Sequence, residues 1–328
     1  MAVVAVSGGT GDVGRTIVTA ITKAGRHKVV ILSRTAAEAT VDGEPERLAV
    51  DYENVEQISG VLQENKVEVV ITALLLADDE VAESQIALIR AAARSGTVKK
   101  FIPTEYHLDY NVPVDGVEIH FAKYHRRCEE EIKQHPELTY TLIRNGLFLD
   151  YMAMPYHPKP TNLRPYWMFI DLAHEISVIP GDGTKTVVFT HTTDTAAFIE
   201  RLIDFPAEKW PRESLVQSNK LPVKDLLDLI NKISGRNFKV TWETPEAIRQ
   251  GEITMLPSNK PIFAQPVLGD IFRGIEKEVL LTVLSNGYEL PGKDLAEIFP
   301  DVQTTNLEEF LREAWKVKEA MDLKENNI

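Results

Sequence analysis

A glycine-rich turn near the start of the chain constrains its fold more than any other feature. Residues 8–14 read Gly-Gly-Thr-Gly-Asp-Val-Gly, between an apolar strand that begins at Val3 and a helix at 15–23. Glycine lets the backbone turn sharply and approach a pyrophosphate, and the N-terminus of the helix attracts the same anion. This context favours a dinucleotide site over a purely structural turn. The residues of the turn predicted to bind the cofactor are Gly8, Thr10, Gly11, Asp12, Val13 and Gly14.

The residues after the second predicted strand indicate which dinucleotide is bound. That strand, 28–32, is followed by Ser33, Arg34 and Thr35, and no carboxylate is present there to hold a ribose 2′-hydroxyl. A guanidinium instead matches a 2′-phosphate through a charge-assisted fork of hydrogen bonds. The sequence therefore predicts NADP(H) rather than NAD(H), with Arg34 at the 2′-phosphate. The alternative is a solvated surface arginine.

The composition is that of an ordinary globular protein with an acidic balance. The 328 residues suit one large α/β unit or two packed lobes, and 44% of them are hydrophobic. The formal net charge is −13, from 36 basic and 49 acidic residues. Because phosphate binding needs a basic surface, we expect no nucleic-acid partner.

Neither a membrane segment nor a targeting segment is predicted. No stretch approaches the roughly 20 apolar residues that a membrane-spanning helix needs, so we expect no membrane partner and a cytoplasmic location. Cys128 is the only cysteine, which excludes an intrachain disulfide. It is expected to be a partly buried helix residue. The histidines at 107, 120 and 125 lack a ligand pattern, and no metal site is predicted.

Strand and helix patterns alternate through about residue 145, which is typical of a doubly wound parallel sheet. We therefore predict an α/β fold with a Rossmann-type sheet and a smaller C-terminal α+β lobe. Residues 1–150 form the predicted NADP-binding domain. Residues 151–328 are predicted to be mainly the substrate-binding lobe, with 186–218 returning to the Rossmann sheet.

Several local patterns refine this outline. A single sixth strand is expected from Leu138 to Arg144, and Thr193 and Asp194 are expected to cap a helix that runs through Ile203. The Pro-rich and aromatic stretch from Tyr151 to Trp167 is predicted to cover the cofactor. The helices predicted for the C-terminal lobe lie at about 223–234, 267–284 and 307–321.

Polar residues follow the fifth predicted strand, 98–103, where a doubly wound fold places its ligands. Thr104, Glu105 and Tyr106 come directly after Pro103. They could form a wall that faces the cofactor and substrate, or they could satisfy neighbouring backbone groups. We assign Thr104 to the cofactor site and Tyr106 to the candidate catalytic set.

A second candidate segment opens the helix at 119–134. Ordinary short-chain dehydrogenases carry a Tyr-x-x-x-Lys turn there, in which lysine lowers the pKa of the tyrosine. In this chain Ile119 stands four residues before Lys123, so that chemistry is excluded, although Tyr124 or Tyr106 could enter from another direction. His120 is a further candidate catalytic residue.

Several motifs together resemble a known family. The chain resembles the NmrA-like branch of the atypical short-chain dehydrogenases, and particularly its fungal members; this branch includes the isoflavone reductase and phenylcoumaran benzylic ether reductase group. The segments that carry the resemblance are the glycine turn, Leu32-Ser-Arg, Phe101-Ile-Pro-Thr-Glu-Tyr, Phe121-x-Lys123, Tyr140-Thr-Leu-Ile-Arg-Asn-Gly-Leu-Phe148, Thr190-x-x-x-Asp194-Thr-Ala and the ending Phe299-Pro-Asp-Val with Leu307-Glu-Glu-Phe-Leu.

The resemblance implies NADPH and hydride delivery from its nicotinamide. It places Lys123 near the ribose and the substrate as the catalytic group, and it assigns Asn145, Gly146 and Phe148 to the cofactor site. Two departures bear on the substrate. Relatives usually read Pro-Ser-Glu-Phe-Gly where residues 103–107 of this chain read Pro-Thr-Glu-Tyr-His, so Tyr106 and His107 replace Phe and Gly. Bulky leucines also occupy 74–76.

Three functions follow from these patterns. The first is an NADPH-dependent reductase of an aromatic or heterocyclic secondary metabolite, with Lys123 as the acid or electrostatic stabiliser. The second keeps NADP(H) as part of a pocket for isomerisation or rearrangement without net redox change. The third is a cofactor-sensing regulator that binds other proteins. The expected partner is a small-molecule substrate, and the expected state is a monomer or a homodimer.

Overall fold

A computed structural model describes residues 1–35, 43–112 and 119–325. Its strands are β1 Val3–Ser7, β2 Lys28–Ser33, β3 Glu46–Ala49, β4 Val69–Thr72, β5 Lys100–Ile102, β6 Thr139–Tyr140, β7 Leu142–Arg144, β8 Leu147–Phe148, β9 Ile170–Asp171, β10 Ile176–Pro180, β11 Thr186–Thr190, β12 Glu213–Leu215, β13 Asn219–Pro222, β14 Lys239–Glu243 and β15 Lys293–Asp294. Its α-helices are α1 Asp12–Ala24, α2 Val55–Glu64, α3 Asp79–Ser95, α4 Ala122–Ile132, α5 Thr192–Asp204, α6 Val223–Ser234, α7 Pro245–Gln250, α8 Lys260–Phe263, α9 Pro266–Leu284, α10 Leu295–Ile298 and α11 Leu307–Glu325.

The first six strands form one parallel sheet in the order β3-β2-β1-β4-β5-β6. The order reverses direction at β1, so the glycine turn that follows β1 lies at the switch point where such sheets bind ligands. Helices α1 and α5 pack on one face, and α2, α3 and α4 pack on the other. Because both faces are covered, the central strands are apolar throughout rather than alternating. The predicted fold class is confirmed.

The predicted sixth strand is divided in two. At Thr141 the chain stops pairing with β5 and begins to pair with β12, so β6 and β7 belong to different ladders. The Thr141 hydroxyl lies 2.6 Å from that of Ser214, the central residue of β12. Strands β11 and β12 pair in parallel with β8 and β7, in two three-stranded sheets distinct from the six-stranded one. The predicted return of 186–218 to the Rossmann sheet stays a prediction. A pattern read along one segment does not reveal this change of partner.

The C-terminal lobe contains the sheet β14-β10-β9 and helices α6, α9 and α11. Its apolar residues join those of β8 and β11 in one core. The predicted helix 223–234 has the observed bounds of α6, since Gly235 ends it in the left-handed conformation. The predicted boundary near residue 150 stays a prediction.

The prediction that Thr193 and Asp194 cap α5 is wrong. The cap is His191, whose side chain accepts a hydrogen bond from the Thr193 amide. The Asp194 carboxylate instead accepts bonds from the amide and hydroxyl of Thr305, at 2.7 and 2.8 Å, and from Ser218 at 3.0 Å. Asp194 therefore fastens α5 to the segment that precedes α11.

Among the described residues, no helix combines the length and apolarity needed to cross a membrane. Cys128 lies in α4 and is buried. Burial raises the pKa of its thiol to about 12, so the thiolate is disfavoured near neutral pH. The predicted cytoplasmic location and oligomeric states stay predictions.

Candidate active site

The glycine turn closes so tightly that side chains cannot enter it. A Cβ atom on Gly14 would lie 2.1 Å from the carbonyl oxygen of Gly8, and one on Gly8 would lie 2.4 Å from that of Ala73. Gly8 also has φ = +75°, which disfavours other residues. The amide of Gly11 donates to the Gly8 carbonyl at 3.0 Å and closes the turn. The residues present thus form a cradle that fits a pyrophosphate.

Helix α1 begins at Asp12 without a side-chain cap from its cap residue, Gly11. The first amides of a helix have no intrahelical partner and can serve an anion. The Asp12 carboxylate accepts a bond from Arg164 Nε at 3.0 Å, and Asn162 donates to the Thr16 hydroxyl at 3.0 Å. The Pro-rich segment therefore lies beside the predicted phosphate site, although its role as a cover stays a prediction.

Two other residues of the turn differ in the groups that they can offer a cofactor. Thr10 is exposed, and its carbonyl accepts a bond from the Arg15 guanidinium at 3.0 Å. The Val13 side chain packs against the core beneath the sheet. The exposed side chain of Thr10 and the backbone amide of Val13 are the groups that these two residues can offer a cofactor.

Arg34 is exposed at the end of β2 and lines a groove of about 1060 Å³ between the strand ends and α3. Tyr52 and Leu74 line the same groove. The Tyr52 hydroxyl lies 2.6 Å from that of Ser7, and burial raises its pKa while the positive charge of Arg34 opposes the rise. Arg34 forms no ion pair with another described residue, which leaves its guanidinium available for a phosphate.

Thr104 joins the ends of three elements. Its hydroxyl accepts a bond from the Leu74 amide at 3.0 Å and lies 3.1 Å from the Thr72 hydroxyl, which in turn donates to Gln85. The side chain is buried, so it fixes the ends of β4 and β5 against α3. Its predicted contact with the cofactor stays a prediction.

Tyr106 is turned into the core rather than into the crevice. It has φ = +52°, is 6% exposed and donates its hydroxyl proton to the Thr72 carbonyl at 2.8 Å. Burial raises the pKa of the hydroxyl far above its usual value. Because the donor is already committed to a backbone acceptor, we leave Tyr106 out of the proposed chemistry.

Glu105 also faces inward. Its carboxylate lies 3.3 Å from His125 Nδ1, and the same nitrogen lies 3.1 Å from the Thr104 carbonyl. The His125 ring stacks on Tyr110 with centroids 3.8 Å apart. Burial raises the pKa of Glu105, against the opposing effect of His125. The expected polar wall is thus an internal cluster that fastens α4 to the end of β5.

Lys123 has the freedom that those residues lack. It is exposed in the first turn of α4, and its Nζ lies 4.6 Å from the centroid of the Tyr124 ring. It forms no hydrogen bond or ion pair with another described residue. His120 is exposed just before the helix, and its backbone amide donates to Glu278 of α9 at 2.7 Å. Lys123 and His120 are therefore both exposed at the N-terminal end of α4.

The turn after β7 contains the other residues assigned to the cofactor. Gly146 has φ = +67°, and a Cβ there would lie 2.4 Å from the Val188 carbonyl. Asn145 is buried, and its Oδ1 has no hydrogen-bond partner in the described part of the chain. Phe148 is partly buried. A close backbone turn with a spare acceptor is compatible with the predicted role.

Sequence reasoning missed the residues that reach the site from elsewhere in the chain. Asn162 and Arg164 contact α1, and Glu278 contacts the start of α4. No spacing pattern marks them, because each contact joins distant segments. Only His107 carried a signal in the sequence, because it stands where relatives usually have a glycine. In the described ranges, no group of three or more His, Cys, Asp or Glu residues could hold a metal ion.

Comparison with known proteins gives concordant results. The model of the NmrA-like family matches residues 1–311. The chain is 50% identical to a protein of Metarhizium robertsii named oxidoreductase swnN, over 98% of this chain and 99% of the relative. A protein of Arthroderma benhamiae with the same name is 48% identical over the same shares.

The fold is similar to that of solved reductase structures. A leucoanthocyanidin reductase from Vitis vinifera superposes with a TM-score of 0.72 at 20% identity, over 95% of this chain and 99% of that one. An isoflavone reductase superposes with a TM-score of 0.67 at 22% identity, over 95% and 98%. The predicted oxidoreductase class agrees with the name that both fungal relatives carry. The resemblance inferred from the motifs is confirmed: the chain belongs to the NmrA-like family.

Proposed function

We propose that this protein is an NADPH-dependent reductase of an aromatic or heterocyclic small molecule. The observation that carries the proposal is the cradle at Gly8 and Gly14, where no side chain fits and the open start of α1 faces the same space. Arg34 would hold the 2′-phosphate at the edge of the adjoining groove. When bound, the nicotinamide would supply the hydride.

Two proteins of similar fold support this cofactor. The leucoanthocyanidin reductase of Vitis vinifera was solved as a binary complex with NADPH, and another structural neighbour was solved with NADP⁺ and (+)pinoresinol. In both complexes the cofactor is bound to the neighbouring protein. They agree with the charge of Arg34 and with the lack of a carboxylate at the end of β2.

Lys123 is the residue proposed to act on the substrate. Its ammonium group is exposed and is not neutralised by a described carboxylate. A fixed positive charge beside a reacting oxygen or nitrogen stabilises the anion that develops when a hydride is added, and it can also donate the proton. Glu105 and His125 act on this process indirectly, because they hold α4 against the sheet.

The test is NADPH oxidation with a panel of ring-containing substrates: cyclic enones, aromatic ketones, benzylic ethers and cyclic imines. Lys123→Ala is expected to lower kcat by about 100-fold or more, as loss of a group that stabilises the transition state does. The Kd for NADPH should stay close to that of the wild type. Lys133→Ala, at the other end of α4, is the matched control and should keep full activity.

Full activity of Lys123→Ala would contradict the assignment of that residue. The ratio of NADPH consumed to product formed tests the reaction class. A ratio of one supports the reductase, whereas product without NADPH consumption would instead support the isomerase that the sequence also allows. Binding of NADPH with no conversion of any panel member would contradict both and favour the regulator.

A further inference from the structure

His107 lies at the boundary between the sheet and the C-terminal lobe. Its carbonyl accepts a bond from the Gly146 amide at 2.9 Å, which places it beside the turn assigned to the cofactor. Its Nε2 lies 2.9 Å from the hydroxyl of Tyr288, a residue that follows α9. The ring thus spans from the edge of the sheet to the lobe proposed to hold the substrate.

The direction of the hydrogen bond follows from the surroundings of Tyr288. This residue is 0% exposed, and burial holds the pKa of its hydroxyl well above the usual value, so the proton is present. In the described part of the chain, His107 Nε2 is the only side-chain atom to which this hydroxyl is bonded. A buried hydroxyl needs an acceptor, so Tyr288 donates and Nε2 accepts.

This assignment fixes the tautomer of His107. Burial lowers the pKa of the imidazole to about 4, with a smaller contribution from the charge of His125, so the ring is neutral near pH 7. A neutral imidazole that accepts at one nitrogen carries its proton on the other. His107 therefore has an Nδ1–H donor.

The Nδ1–H donor is free to meet a ligand. Among the described residues, Nδ1 of His107 has no hydrogen-bond partner. It is also not enclosed by the protein, in contrast to the side-chain nitrogens of those residues that are both enclosed and unpartnered. His107 is partly exposed, whereas its neighbours Leu108 and Tyr288 are fully buried. The ring of Tyr110, 6.2 Å away, covers another side of the imidazole.

We propose that His107, oriented by Tyr288, is a specificity-determining residue that donates a hydrogen bond from Nδ1 to an oxygen atom of the substrate. The substrate class is a ring compound with a carbonyl or hydroxyl oxygen. This inference rests on the proposed reductase function, which it deepens. The groups that face the imidazole are Tyr110, His125 and Tyr288.

The first test reads the tautomer directly. The full chain, saturated with NADP⁺ and labelled with ¹⁵N in its histidines, is studied by NMR at pH 7, and His107→Gln identifies the signal. We expect the Nδ1–H tautomer, and we expect Tyr288→Phe to shift it towards a mixture. An Nε2–H tautomer or a charged ring in the wild type would overturn the proposal.

The second test asks whether the donor meets a ligand oxygen. The probes are 1-tetralone, an aromatic bicyclic ketone, and tetralin, which has the same skeleton without the oxygen. The ketone is expected to move the His107 Nδ1 signal, whereas tetralin is expected to leave it in place. If neither the ketone nor any oxygen-bearing panel member moves the signal, His107 does not contact the substrate.

The third test compares two amides with the panel member that is reduced fastest. The asparagine amide reaches about as far as Nδ1 and that of glutamine as far as Nε2. His107→Asn should therefore keep kcat/KM within about threefold, whereas His107→Gln should lose about tenfold, the effect of one hydrogen bond. His135→Gln, on the surface of the chain, is the control.

The Kd for NADPH should be unchanged in both variants, which separates loss of a substrate contact from damage to the cofactor site. Equal losses in His107→Asn and His107→Gln would overturn the proposal. If no panel member is reduced, the proposed reductase function fails. The tautomer and the ketone titration still decide the role of His107.

Discussion

The glycine turn after β1 and the polar segment after β5 both lie at the carboxyl edge of the sheet, yet they serve it differently. In the turn, Gly8 and Gly14 leave a space that backbone amides can line. In the segment, Thr104 and Tyr106 direct their polar atoms into neighbouring elements. A motif that works through the absence of side chains can be recognised in a sequence. The direction in which a polar side chain points cannot be predicted from the sequence in the same way.

The largest expected effect tests the first half of this comparison. Gly14→Ala would place a Cβ 2.1 Å from the Gly8 carbonyl, so the turn must deform. We expect NADPH binding to weaken by about 100-fold or more, comparable to the cost of strained backbone at such a site. Gly60→Ala in α2, where a Cβ meets nothing within 4 Å, should bind NADPH normally.

Isothermal titration measures the affinity, and the melting temperature of each variant shows whether the fold is retained. NADPH binding by Gly14→Ala at the wild-type affinity would show that the cradle does not hold the pyrophosphate. It would also remove the contrast between the two regions.

An intermediate effect is expected at Arg34. Arg34→Ala should weaken NADPH binding by about ten- to 100-fold, the range for a hydrogen bond to a charged group, and should leave NADH binding nearly unchanged. Arg94→Ala is the control, because Arg94 is an exposed arginine paired with Glu56. Equal losses for the two nucleotides would mean that Arg34 does not contact the 2′-phosphate.

The smallest effect tests the second half of the comparison. Tyr106→Phe removes the hydroxyl that donates to the Thr72 carbonyl. We expect the free energy of unfolding to fall by about 1 kcal/mol, with kcat within about twofold of the wild type. Denaturant titration and steady-state rates measure the two quantities. A loss of kcat without a loss of stability would return Tyr106 to the catalytic set.

Patterns along the chain predicted elements well where local chemistry sets their limits. Helix α6 ends at Gly235 because that residue adopts the left-handed conformation without strain. Prediction failed where a distant segment decides. Thr141 marks a change of strand partner that depends on β12, and the carboxylate of Asp194 is occupied by Thr305 from more than 100 positions away.

The sequence by itself determined the parallel sheet and the tight turn from Gly8 to Gly14, because each depends on periodicity or on the small size of glycine within a short segment. Lys123 was singled out only by the resemblance to the NmrA-like family. The tertiary structure decided which polar groups remain available. The polar atoms of Glu105 and Tyr106 are already bonded inside the fold, to His125 and to the Thr72 carbonyl. By contrast, Lys123 is exposed, and His107 has a donor oriented by Tyr288. The physical reason is that a polar atom inside a fold must find a partner, and that partner can come from any part of the chain.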